Sequence, residues 1–266
     1  MAATDLEARR LATLRRYVVD EARTDFDERY GADLQFPRAV ALICAYDEEG
    51  CIGDVLAKMP TEALGLPLLT LVVVDGGDDE TAEIAKAAGA TTLVFPVNLG
   101  HGVALRVGYR LCIEKGAEYC VTLDADGQND PAEIPELLGP LVDGEADFVL
   151  ASRRLGTDTT TDRFRKTGVV FFSTVMNRMT GQHLTDTSNG YRALRVAMLA
   201  DVVDRLQQDQ YQTAELLITC LKRGWKVTER PTVWLPRQAG TTKKGKNWLF
   251  GFRYARVVFG TWWRER

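Results

Sequence analysis

The hydrophobic pattern of the chain is a series of short apolar runs, each of which ends in a polar or glycine-rich segment. The runs cover residues 38–46, 69–74, 92–95, 119–123 and 148–151, and amphipathic segments with helical spacing lie between them. Strands whose residues are nearly all apolar are typical of a parallel sheet that is covered on both faces. The alternation of such strands with helices therefore predicts an α/β fold, with a mostly parallel sheet and helices on both faces.

Helical spacing of apolar residues also predicts helices outside this alternation. One lies at the N-terminus over residues 5–30, where it packs on the following domain or on a second subunit, and another covers residues 212–223. The latter carries Glu215, which we interpret as a solvated helix residue without a catalytic role. Residues 225–234 form a further strand, and Pro231 within it indicates the edge of the sheet.

Composition and charge exclude several classes of protein. The 266 residues suit one or two domains, and a formal net charge of −4 gives no global attraction to nucleic acid. The five cysteines form no Cys-x-x-Cys pair and several lie in apolar runs, which indicates reduced thiols in a cytoplasmic protein. The presence of only two histidines argues against a histidine-based zinc site. No signal peptide is predicted, because the N-terminus lacks a long apolar core. No membrane span is predicted, because no uncharged apolar stretch reaches about 20 residues.

The most informative polar segment follows the strand predicted at residues 119–123. It presents Asp124 and Asp126, and Gly127 and Pro131 then end the strand. Side chains at positions i and i+2 of a strand point to one face, with Cα atoms about 6.6 Å apart. Two carboxylates at this spacing suit one hard cation such as Mg²⁺, which typically shares its ligand shell with substrate phosphates. Solvated turn residues are the alternative interpretation.

Polar loops also follow the other predicted strands. They begin at Asp47, Asp75 and Asn98, and the last of them continues through Gly100 and Gly102. The carboxyl ends of parallel strands form one edge of a sheet, and the ligands of such sheets bind outside that edge. The loops therefore predict a functional cleft at this edge.

The order of these motifs along the chain resembles a known family. The residues that carry the resemblance are Ala45-Tyr46-Asp47-Glu48-Glu49, Val74-Asp75-Gly76-Gly77, Asn98-x-Gly100-x-Gly102, Asp124-Ala125-Asp126-Gly127-Gln128, Ser152-Arg153, Asp186-x-x-Asn189-Gly190-Tyr191-Arg192 and Arg237-x-x-Gly240. This ordered set, within residues 38–244, is similar to the inverting family-two glycosyltransferases. It is most similar to their dolichol-phosphate mannose synthase and polyprenyl-phosphate glycosyltransferase branch.

The resemblance implies a Rossmann-like glycosyltransferase-A fold and a division into three parts. These are an N-terminal helical extension at residues 1–35, the glycosyltransferase-A catalytic domain at residues 36–238, and a basic, aromatic C-terminal tail at residues 239–266. The chain departs from the family pattern at Asp47, where Asn is usual, and at Gly76, which replaces a second Asp. These departures leave open whether the donor carries guanine or uracil and which hexose is transferred.

The resemblance also implies roles for individual residues. The nucleoside is expected at Tyr46, Glu48 and Asp75, and the rest of the donor cleft is expected at Asn98, Gly100 and Gly102. A Mg²⁺ or Mn²⁺ ion and the diphosphate are expected at Asp124, Asp126 and Gln128, and the transferred sugar near Asp186. The residues expected to face an acceptor phosphate are Ser152, Arg153, Arg163, Arg165, Arg237 and Lys243.

The expected chemistry depends on the acceptor. A metal ion held by Asp126 neutralises the leaving nucleoside diphosphate, and the acceptor attacks the anomeric carbon in line, with inversion. A lipid monophosphate is already ionised at neutral pH, so it needs positioning by arginines such as Arg153 and Arg237. An alcohol needs a general base, for which Asp186 is the candidate. The alternatives are an Asx-turn role for Asp186 and surface ion pairs for the arginines.

The C-terminal tail has the composition of a helix that lies in a membrane interface. Trp262 and Trp263 are among the many aromatic residues of this segment. Arg253, Arg256 and Arg264 lie on one polar stripe of the predicted helix. The internal arginines and the short length exclude a membrane span. We therefore expect this helix to contact a membrane surface or a small membrane-protein partner. Packing on the protein's own core or on another partner is the alternative.

The sequence thus favours a cytoplasmic enzyme, peripheral on the inner face of the membrane, that moves mannose or glucose from GDP-mannose or UDP-glucose to polyprenyl phosphate. A soluble glycosyltransferase with a small-molecule, peptide or glycan acceptor is the second hypothesis. A catalytically silent nucleotide-sugar-binding subunit is the third, although the intact Asp124-x-Asp126 pair argues against a loss of metal chemistry. No nucleic-acid partner is expected, and homo-oligomerisation is left open.

Overall fold

The strands of the protein form one central sheet. The structure, a computed structural model, describes residues 2–159, 163–237 and 247–266. The strands are β1 (Ala39–Ala45), β2 (Glu62–Ala63), β3 (Leu66–Val74), β4 (Thr91–Val94), β5 (Tyr119–Asp124), β6 (Phe148–Asp158), β7 (Arg192–Arg195) and β8 (Val227–Trp234). The α-helices are α1 (Ala2–Tyr30), α2 (Glu49–Ala57), α3 (Thr81–Ala87), α4 (His101–Glu114), α5 (Ile134–Val142), α6 (Arg163–Thr180), α7 (Val196–Val202), α8 (Gln212–Lys222) and α9 (Asn247–Arg264).

The sheet is mostly parallel. Its strands follow the order β4-β3-β1-β5-β7-β6-β8, and β2 is a short antiparallel partner of β3. Strands β4, β3, β1 and β5 are parallel to one another, β7 is antiparallel to both of its neighbours, and β8 is parallel to β6. The predicted α/β class is therefore confirmed, and β8 lies at the edge that Pro231 indicated.

The register of the parallel strands aligns their carboxyl ends. Ala45 at the end of β1 pairs with Val74 at the end of β3, and the adjacent Cys44 pairs with Asp124 at the end of β5. The polar loop that starts with Asp75 therefore leaves the sheet at the same level as Asp124. The loops singled out in the sequence thus meet at one edge of the sheet.

Helices cover both faces of the sheet, as the apolar strands predicted. Alternate residues of β1 belong to two separate cores: Val40 and Leu42 pack with α4 and α8, whereas Ala41 and Ile43 pack with α2 and α5. Gly108 of α4 approaches the sheet so closely that a Cβ atom there would lie 2.5 Å from Leu42 Cδ1. This contact fixes α4, and with it the loop that precedes α4, against β1.

Strand β6 continues past its predicted end at residue 151. It runs on to Asp158 and pairs with β8 through a register shift between Ser152 and Thr157. Gly156 permits this second part, because a Cβ atom there would lie 2.2 Å from the carbonyl oxygen of Thr232. The prediction was wrong here because the polar sequence after Ala151 has the composition of a loop.

Strand β7 and helix α7 are absent from the sequence prediction. Turn-forming residues precede them, and β7 has only four residues, of which two are arginines. Arg192 is nevertheless 1% exposed, and its guanidinium donates to the carbonyl oxygens of Asn189 and Thr213 at 2.6 Å each. These fixed carbonyl dipoles replace water around the charge, so a cation is tolerated in the middle of the sheet.

The terminal helices both pack on the domain that contains the sheet. Helix α1 buries Ala22 and Phe26, and the oxygen of Tyr30 accepts a hydrogen bond from the backbone of Thr92 in β4 at 2.9 Å. Helix α9 contacts α6 and α8 and buries Tyr254. Within the described ranges, no helix is both long and apolar enough to cross a membrane.

The expectation that Glu215 is solvated is wrong. Its side chain in α8 is 0% exposed, and it accepts a hydrogen bond from Nη1 of Arg264 in α9 at 2.9 Å. Backbone N–H groups of Gln207 and Gln208 also donate to it. A buried carboxylate requires such partners, and they come from segments that are distant or irregular in sequence.

Asp75 connects the end of β3 to the loop before α4. Its carboxylate accepts hydrogen bonds from the backbone N–H groups of Leu99 at 2.7 Å and Gly100 at 2.9 Å. Burial raises the pKa of Asp75 to about 6, although these two backbone bonds oppose the shift, and the charge of Asp209 raises the pKa further. The carboxylate therefore holds the glycine loop, residues 98–102 at the start of α4, but its ionisation in this buried position costs free energy.

This cost predicts a pH dependence of stability that Asp75→Asn should remove. The pKa of Asp75 is higher in the folded protein than in the unfolded chain, so ionisation of Asp75 favours unfolding. The contribution of the neutral carboxyl group to the unfolding free energy is present in full below about pH 4 and is lost as the pH rises through 6. The unfolding free energy of the wild type relative to Asp75→Asn should fall by on the order of 3 kcal/mol between these limits. Urea unfolding at several pH values measures it, with the exposed Asp143→Asn as control. Parallel pH profiles for the wild type and Asp75→Asn would contradict the assignment.

Candidate active site

Asp124 and Asp126 stand at the end of β5, at the edge where the loops meet. Both are half-buried while Ala125 between them is buried, which is the alternation expected when two carboxylates face the same way. The turn is held locally: the side chain of Asn129 accepts from the backbone of Asp124 at 3.2 Å, and Asp126 accepts from the backbone of Gln128 at 3.1 Å. The pair therefore has a defined position before any ligand binds.

A glycine lies directly against this pair. A Cβ atom at Gly190 would be 3.2 Å from Oδ1 of Asp124. Among the described residues, no group of three or more His, Cys, Asp or Glu side chains is arranged to hold a metal ion. Two carboxylates with a close glycine nevertheless fit a cation such as Mg²⁺, which takes one or two carboxylates and completes its shell with phosphate oxygens and water.

Gln128 connects the turn that carries Asp124 and Asp126 to the segment that follows β8. Its side-chain nitrogen donates to the backbone carbonyl oxygen of Leu235 at 3.1 Å. Its backbone carbonyl oxygen accepts from the backbone N–H of Leu235 at 3.0 Å. The side-chain oxygen is the part of Gln128 that suits a cation. The two bonds bring Arg237, two residues further on, to the same edge of the sheet.

Arg237 joins the two halves of the predicted site. Its guanidinium forms an ion pair with Glu48, which follows β1. Burial lowers the pKa of Arg237, but the hydrogen bond to Glu48 and the charges of Glu48 and Asp126 outweigh it and raise the pKa above its usual value. The sequence assigned Glu48 to the nucleoside and Arg237 to the acceptor phosphate, and the structure places them in contact.

The loops after β1, β3 and β4 approach each other through two glycines. Gly76 has φ +70°, and a Cβ atom there would lie 2.5 Å from the backbone nitrogen of Asn98. Gly77 has φ +118°, and its Cβ atom would lie 2.4 Å from Oδ1 of Asp47. The departures from the family pattern at Asp47 and Gly76 therefore belong to one packed arrangement, in which the side chain of Asp47 occupies the space beside Gly77.

The residues assigned to the donor differ in exposure. Tyr46 is 37% exposed and Asn98 is also exposed, so both present their side chains at the surface of the edge. Asp75 is 3% exposed and lies beneath the glycine loop. Gly102 is buried at the start of α4. The structure thus brings the predicted donor residues to one place, but Asp75 acts there through the backbone of the loop.

Arg153 and Asp186 form a buried ion pair beside this edge. Nε of Arg153 donates to Oδ2 of Asp186 at 2.6 Å and Nη2 donates to Oδ1 at 2.8 Å, while Asp186 is 0% and Arg153 6% exposed. Nη2 also donates to the hydroxyl of Ser188 at 2.8 Å. The guanidinium lies over the ring of Trp234, 4.9 Å from its centroid. A bidentate pair of this kind fixes the orientation of both side chains.

The pairing determines what Asp186 can do. Burial raises its pKa, but the hydrogen bonds and charge of Arg153 outweigh that effect and lower the pKa below the usual value for Asp. A general base needs an accessible oxygen and a pKa near the working pH. The geometry therefore favours Asp186 as the residue that orients Arg153 over a role as base.

Glu229 is a residue of this region to which the sequence assigned no role. Its carboxylate accepts from the backbone N–H groups of Thr185 at 2.7 Å and Asp186 at 2.8 Å, so β8 holds the loop that carries Asp186. The hydroxyl of Thr185 lies 2.6 Å from that of Ser152, which is 0% exposed. An acidic residue inside an edge strand was the available signal for Glu229, although nothing in the sequence indicated its partners.

Three residues assigned to the acceptor phosphate fall outside the description. Arg163 and Arg165 belong to the first turn of α6, but their side chains lie outside the described residues. Lys243 lies wholly outside them.

Comparisons with known proteins agree with this fold. The profile of the family described as "Glycosyl transferase family 2" matches residues 40–203. The chain is 31% identical to a dolichyl-phosphate hexose transferase of Haloferax volcanii over 211 residues, which are 79% of this chain and 88% of the relative. It is 30% identical to an undecaprenyl-phosphate mannosyltransferase of Micrococcus luteus over 182 residues, which are 65% of this chain and 74% of the relative.

Solved structures show the same architecture. A crystal structure of glucosyl-3-phosphoglycerate synthase from Mycobacterium tuberculosis, in complex with phosphoglyceric acid, superposes with a TM-score of 0.66 at 18% identity. The superposition covers 84% of this chain and 80% of that one. The glycosyltransferase-A-like fold is thereby confirmed. With the family profile and the relatives above, it follows that the chain belongs to glycosyl transferase family 2 and is a glycosyltransferase.

Proposed function

We propose that the protein transfers a hexose from a nucleotide sugar to a polyprenyl phosphate in a reaction that depends on Mg²⁺ or Mn²⁺. The observation that carries the proposal is the pair Asp124 and Asp126 at the end of β5, with Arg237 beside it. Relatives of the chain are named for transfer to dolichyl phosphate and undecaprenyl phosphate. The proposed donors are GDP-mannose and UDP-glucose.

The donor would lie across the carboxyl ends of β1, β3 and β5. Asp124, Asp126 and the side-chain oxygen of Gln128 would hold the cation, and the cation would supply positive charge against the leaving nucleoside diphosphate. These three side chains would leave the remaining coordination positions for diphosphate oxygens and water. Tyr46 and Asn98 are exposed at the same edge and would contact the nucleoside and the rest of the donor.

The state of Asp186 supports a phosphate as the acceptor. A phosphate monoester is already ionised at neutral pH, so its oxygen can attack the anomeric carbon while the nucleoside diphosphate leaves from the opposite side. No general base is needed for that step. Asp186 is buried and engaged by Arg153, which suits an acceptor that requires fixed positive charge more than one that requires proton removal.

Arginines around the edge would receive that acceptor. Arg237 is 20% exposed at its side chain and is paired with Glu48, so it can exchange this partner for a phosphate oxygen. Arg153 is more buried and would act through its fixed charge and its hold on Ser188. Arg163, Arg165 and Lys243, together with Ser152, complete the proposed acceptor set.

One face of α9 is suited to a membrane surface. Phe252, Phe259 and Trp263 are 70%, 54% and 68% exposed, and their spacing of seven and four residues places them on one side of the helix. The guanidinium of Arg266 lies over the ring of Trp263, 4.5 Å from its centroid. Tyr254 on another side is packed into the core. Exposed aromatic rings next to cations fit a peripheral helix at the inner face of the membrane, or the surface of a small membrane-protein partner.

The test is sugar transfer from radiolabelled GDP-mannose or UDP-glucose to polyprenyl phosphate in detergent, with Mg²⁺ or Mn²⁺. Label in the organic phase with one donor is the expected result and identifies the nucleotide. If calorimetry detects donor binding but no label reaches the organic phase, the lipid acceptor is refuted in favour of a soluble one. If a donor binds but is not turned over with any acceptor, the protein is a nucleotide-sugar-binding subunit.

Asp126→Ala should abolish turnover with either class of acceptor. Loss of one of two carboxylates removes the cation that stabilises the leaving group, an effect of several kcal/mol, or at least about a thousandfold in rate. The measurement is the initial rate as a function of Mn²⁺ concentration. Asp143→Ala, at an exposed position after α5, is the matched control and should keep the wild-type rate. A normal rate in Asp126→Ala would refute the metal assignment.

Asp186→Asn should destabilise the protein by about 3–5 kcal/mol, because the buried guanidinium of Arg153 loses the counter-charge to which it is hydrogen-bonded. Urea unfolding gives this value, and Asp147→Asn, which weakens a partly exposed ion pair with Arg195, should cost far less. Asp186→Asn combined with Arg153→Gln should recover part of the loss. Equal stability of the two single Asp→Asn variants would contradict the role of Asp186 as the partner of Arg153.

Replacement of the three exposed aromatic residues of α9 by Ser should weaken membrane binding at least about tenfold, because each ring loses its apolar contact with the lipid. The measurement is flotation with vesicles of phosphatidylcholine and phosphatidylglycerol. Val142→Ser, an exposed apolar position on α5, is the control. Unchanged flotation of the triple variant would exclude this face of α9 as the membrane contact.

A further inference from the structure

The segment of residues 206–211, between α7 and α8, lies against the start of α4. The backbone N–H of Gly102 donates to the carbonyl oxygen of Asp209 at 2.8 Å. A Cβ atom on Gly102 would lie 2.1 Å from the carbonyl oxygen of Gln208, and one on Gly100 would lie 3.1 Å from that of Asp209. The glycines of the loop before α4 thus make room for this segment.

Glu215 holds the segment from the other side. Its two carboxylate oxygens accept the backbone N–H groups of Gln207 at 3.0 Å and Gln208 at 2.9 Å. The side chain is 0% exposed, so these bonds are shielded from water. A single buried carboxylate therefore fixes the backbone that meets Gly102.

Three arginines complete the attachment. Arg106 of α4 donates to the carbonyl oxygen of Gln208 at 2.6 Å and pairs with Asp209 at 3.2 Å. Arg15 of α1 pairs with the same Asp209 at 2.5 Å. Arg264 of α9 donates to Glu215 at 2.9 Å. Both terminal helices are therefore connected to residues 206–211 through one carboxylate each.

The segment is also connected to the loop proposed to line the donor cleft. Gly100 donates its backbone N–H to Asp75 while its Cα faces the carbonyl oxygen of Asp209. The charge of Asp209 contributes to the raised pKa of Asp75, which agrees with their proximity. A shift of residues 206–211 would therefore change the support of Gly100 and Gly102 directly.

We propose that Glu215 is a positioning residue for the sugar donor: with Arg264, it holds residues 206–211 against the Gly100–Gly102 loop and so fixes the donor side of the cleft. This rests on the proposed function in one respect, namely that this loop lines the donor site. Glu215 is 0% exposed, so its role is exerted through the segment and not by contact with the donor.

The test compares Glu215→Gln and Arg264→Gln with the control Glu118→Gln. Glu118 is an exposed residue just before β5 that forms an ion pair with Arg38. Glu215→Gln should raise the KM for the nucleotide sugar about tenfold, the effect of losing a hydrogen bond to a charged group, and change kcat and the acceptor KM less than about threefold. Arg264→Gln should show a smaller shift of the same kind. The control should match the wild type.

A second measurement keeps the inference separate from the proposed function. Amide hydrogen exchange should be faster at residues 206–211 in Glu215→Gln, with the central strands unchanged, whatever the donor is. Calorimetry with UDP and Mn²⁺, or GDP and Mn²⁺, should then show weaker binding. Faster exchange with an unchanged donor KM would overturn the positioning role, and unchanged exchange would overturn the attachment itself.

Gly102→Ala tests the same contact from the opposite side, because its Cβ would displace the carbonyl oxygen of Gln208. It should also raise the donor KM, and the double variant with Glu215→Gln should lose less than the sum of the two effects, since both act on one contact. Fully additive effects would contradict a shared segment. A wild-type protein that binds neither nucleotide would overturn the proposed function and the donor role of Glu215 together, while the exchange result would still report on the attachment.

Discussion

The parallel pairing of β1 with both β3 and β5 is the constraint on which the site depends. Since the three strands end at the same level, the polar side chains and loops that follow them meet at one edge of the sheet, where they bond to one another. Asp75 satisfies the backbone of the next loop, and the turn after Asp124 satisfies itself through Asn129. The candidate site thus lies where the sheet ends, and its polar character follows from strand register.

Buried charge organises the region around that edge. The carboxylates of Asp186 and Glu215 are both 0% exposed, and each is paired with an arginine and bonded to backbone N–H groups. Removing such charges from water costs several kcal/mol each, which only a dense set of partners offsets. They contribute fixed geometry more than stability. One holds Arg153 near the proposed acceptor side, and the other holds the segment that covers the glycine loop.

Much of the fold was predictable because it follows from local patterns. Apolar runs gave the parallel strands, and the loops after them gave the edge at which Asp124 and Asp126 lie. The strand β7 was not predictable, since Arg192 is buried by carbonyl oxygens that come from elsewhere in the chain. The burial of Glu215 depends on Arg264, 49 residues away, and no local pattern reports such a contact.

The candidate site was predictable in its members more than in their roles. The motif order identified Arg153 and Asp186 as site residues. It did not show that the two side chains are hydrogen-bonded to each other. It assigned Glu48 to the donor and Arg237 to the acceptor, whereas the two side chains form an ion pair in the structure. Spacing in sequence shows which residues reach an edge. Which of these residues pair with each other depends on differences in position of about an ångström, and packing across the whole domain sets those positions.

The attachment of both terminal helices to residues 206–211 has a consequence for the order of folding. Arg15 reaches Asp209 across 194 positions of sequence, so this contact closes one of the longest loops in the protein. Contacts of such separation pay their loop-closure entropy late, after local structure has formed. During synthesis, Arg264 emerges after every strand of the sheet. The hydrogen bond from Arg264 to Glu215 can therefore form only after all the described strands have been synthesised, which makes it one of the last contacts that the nascent chain can complete.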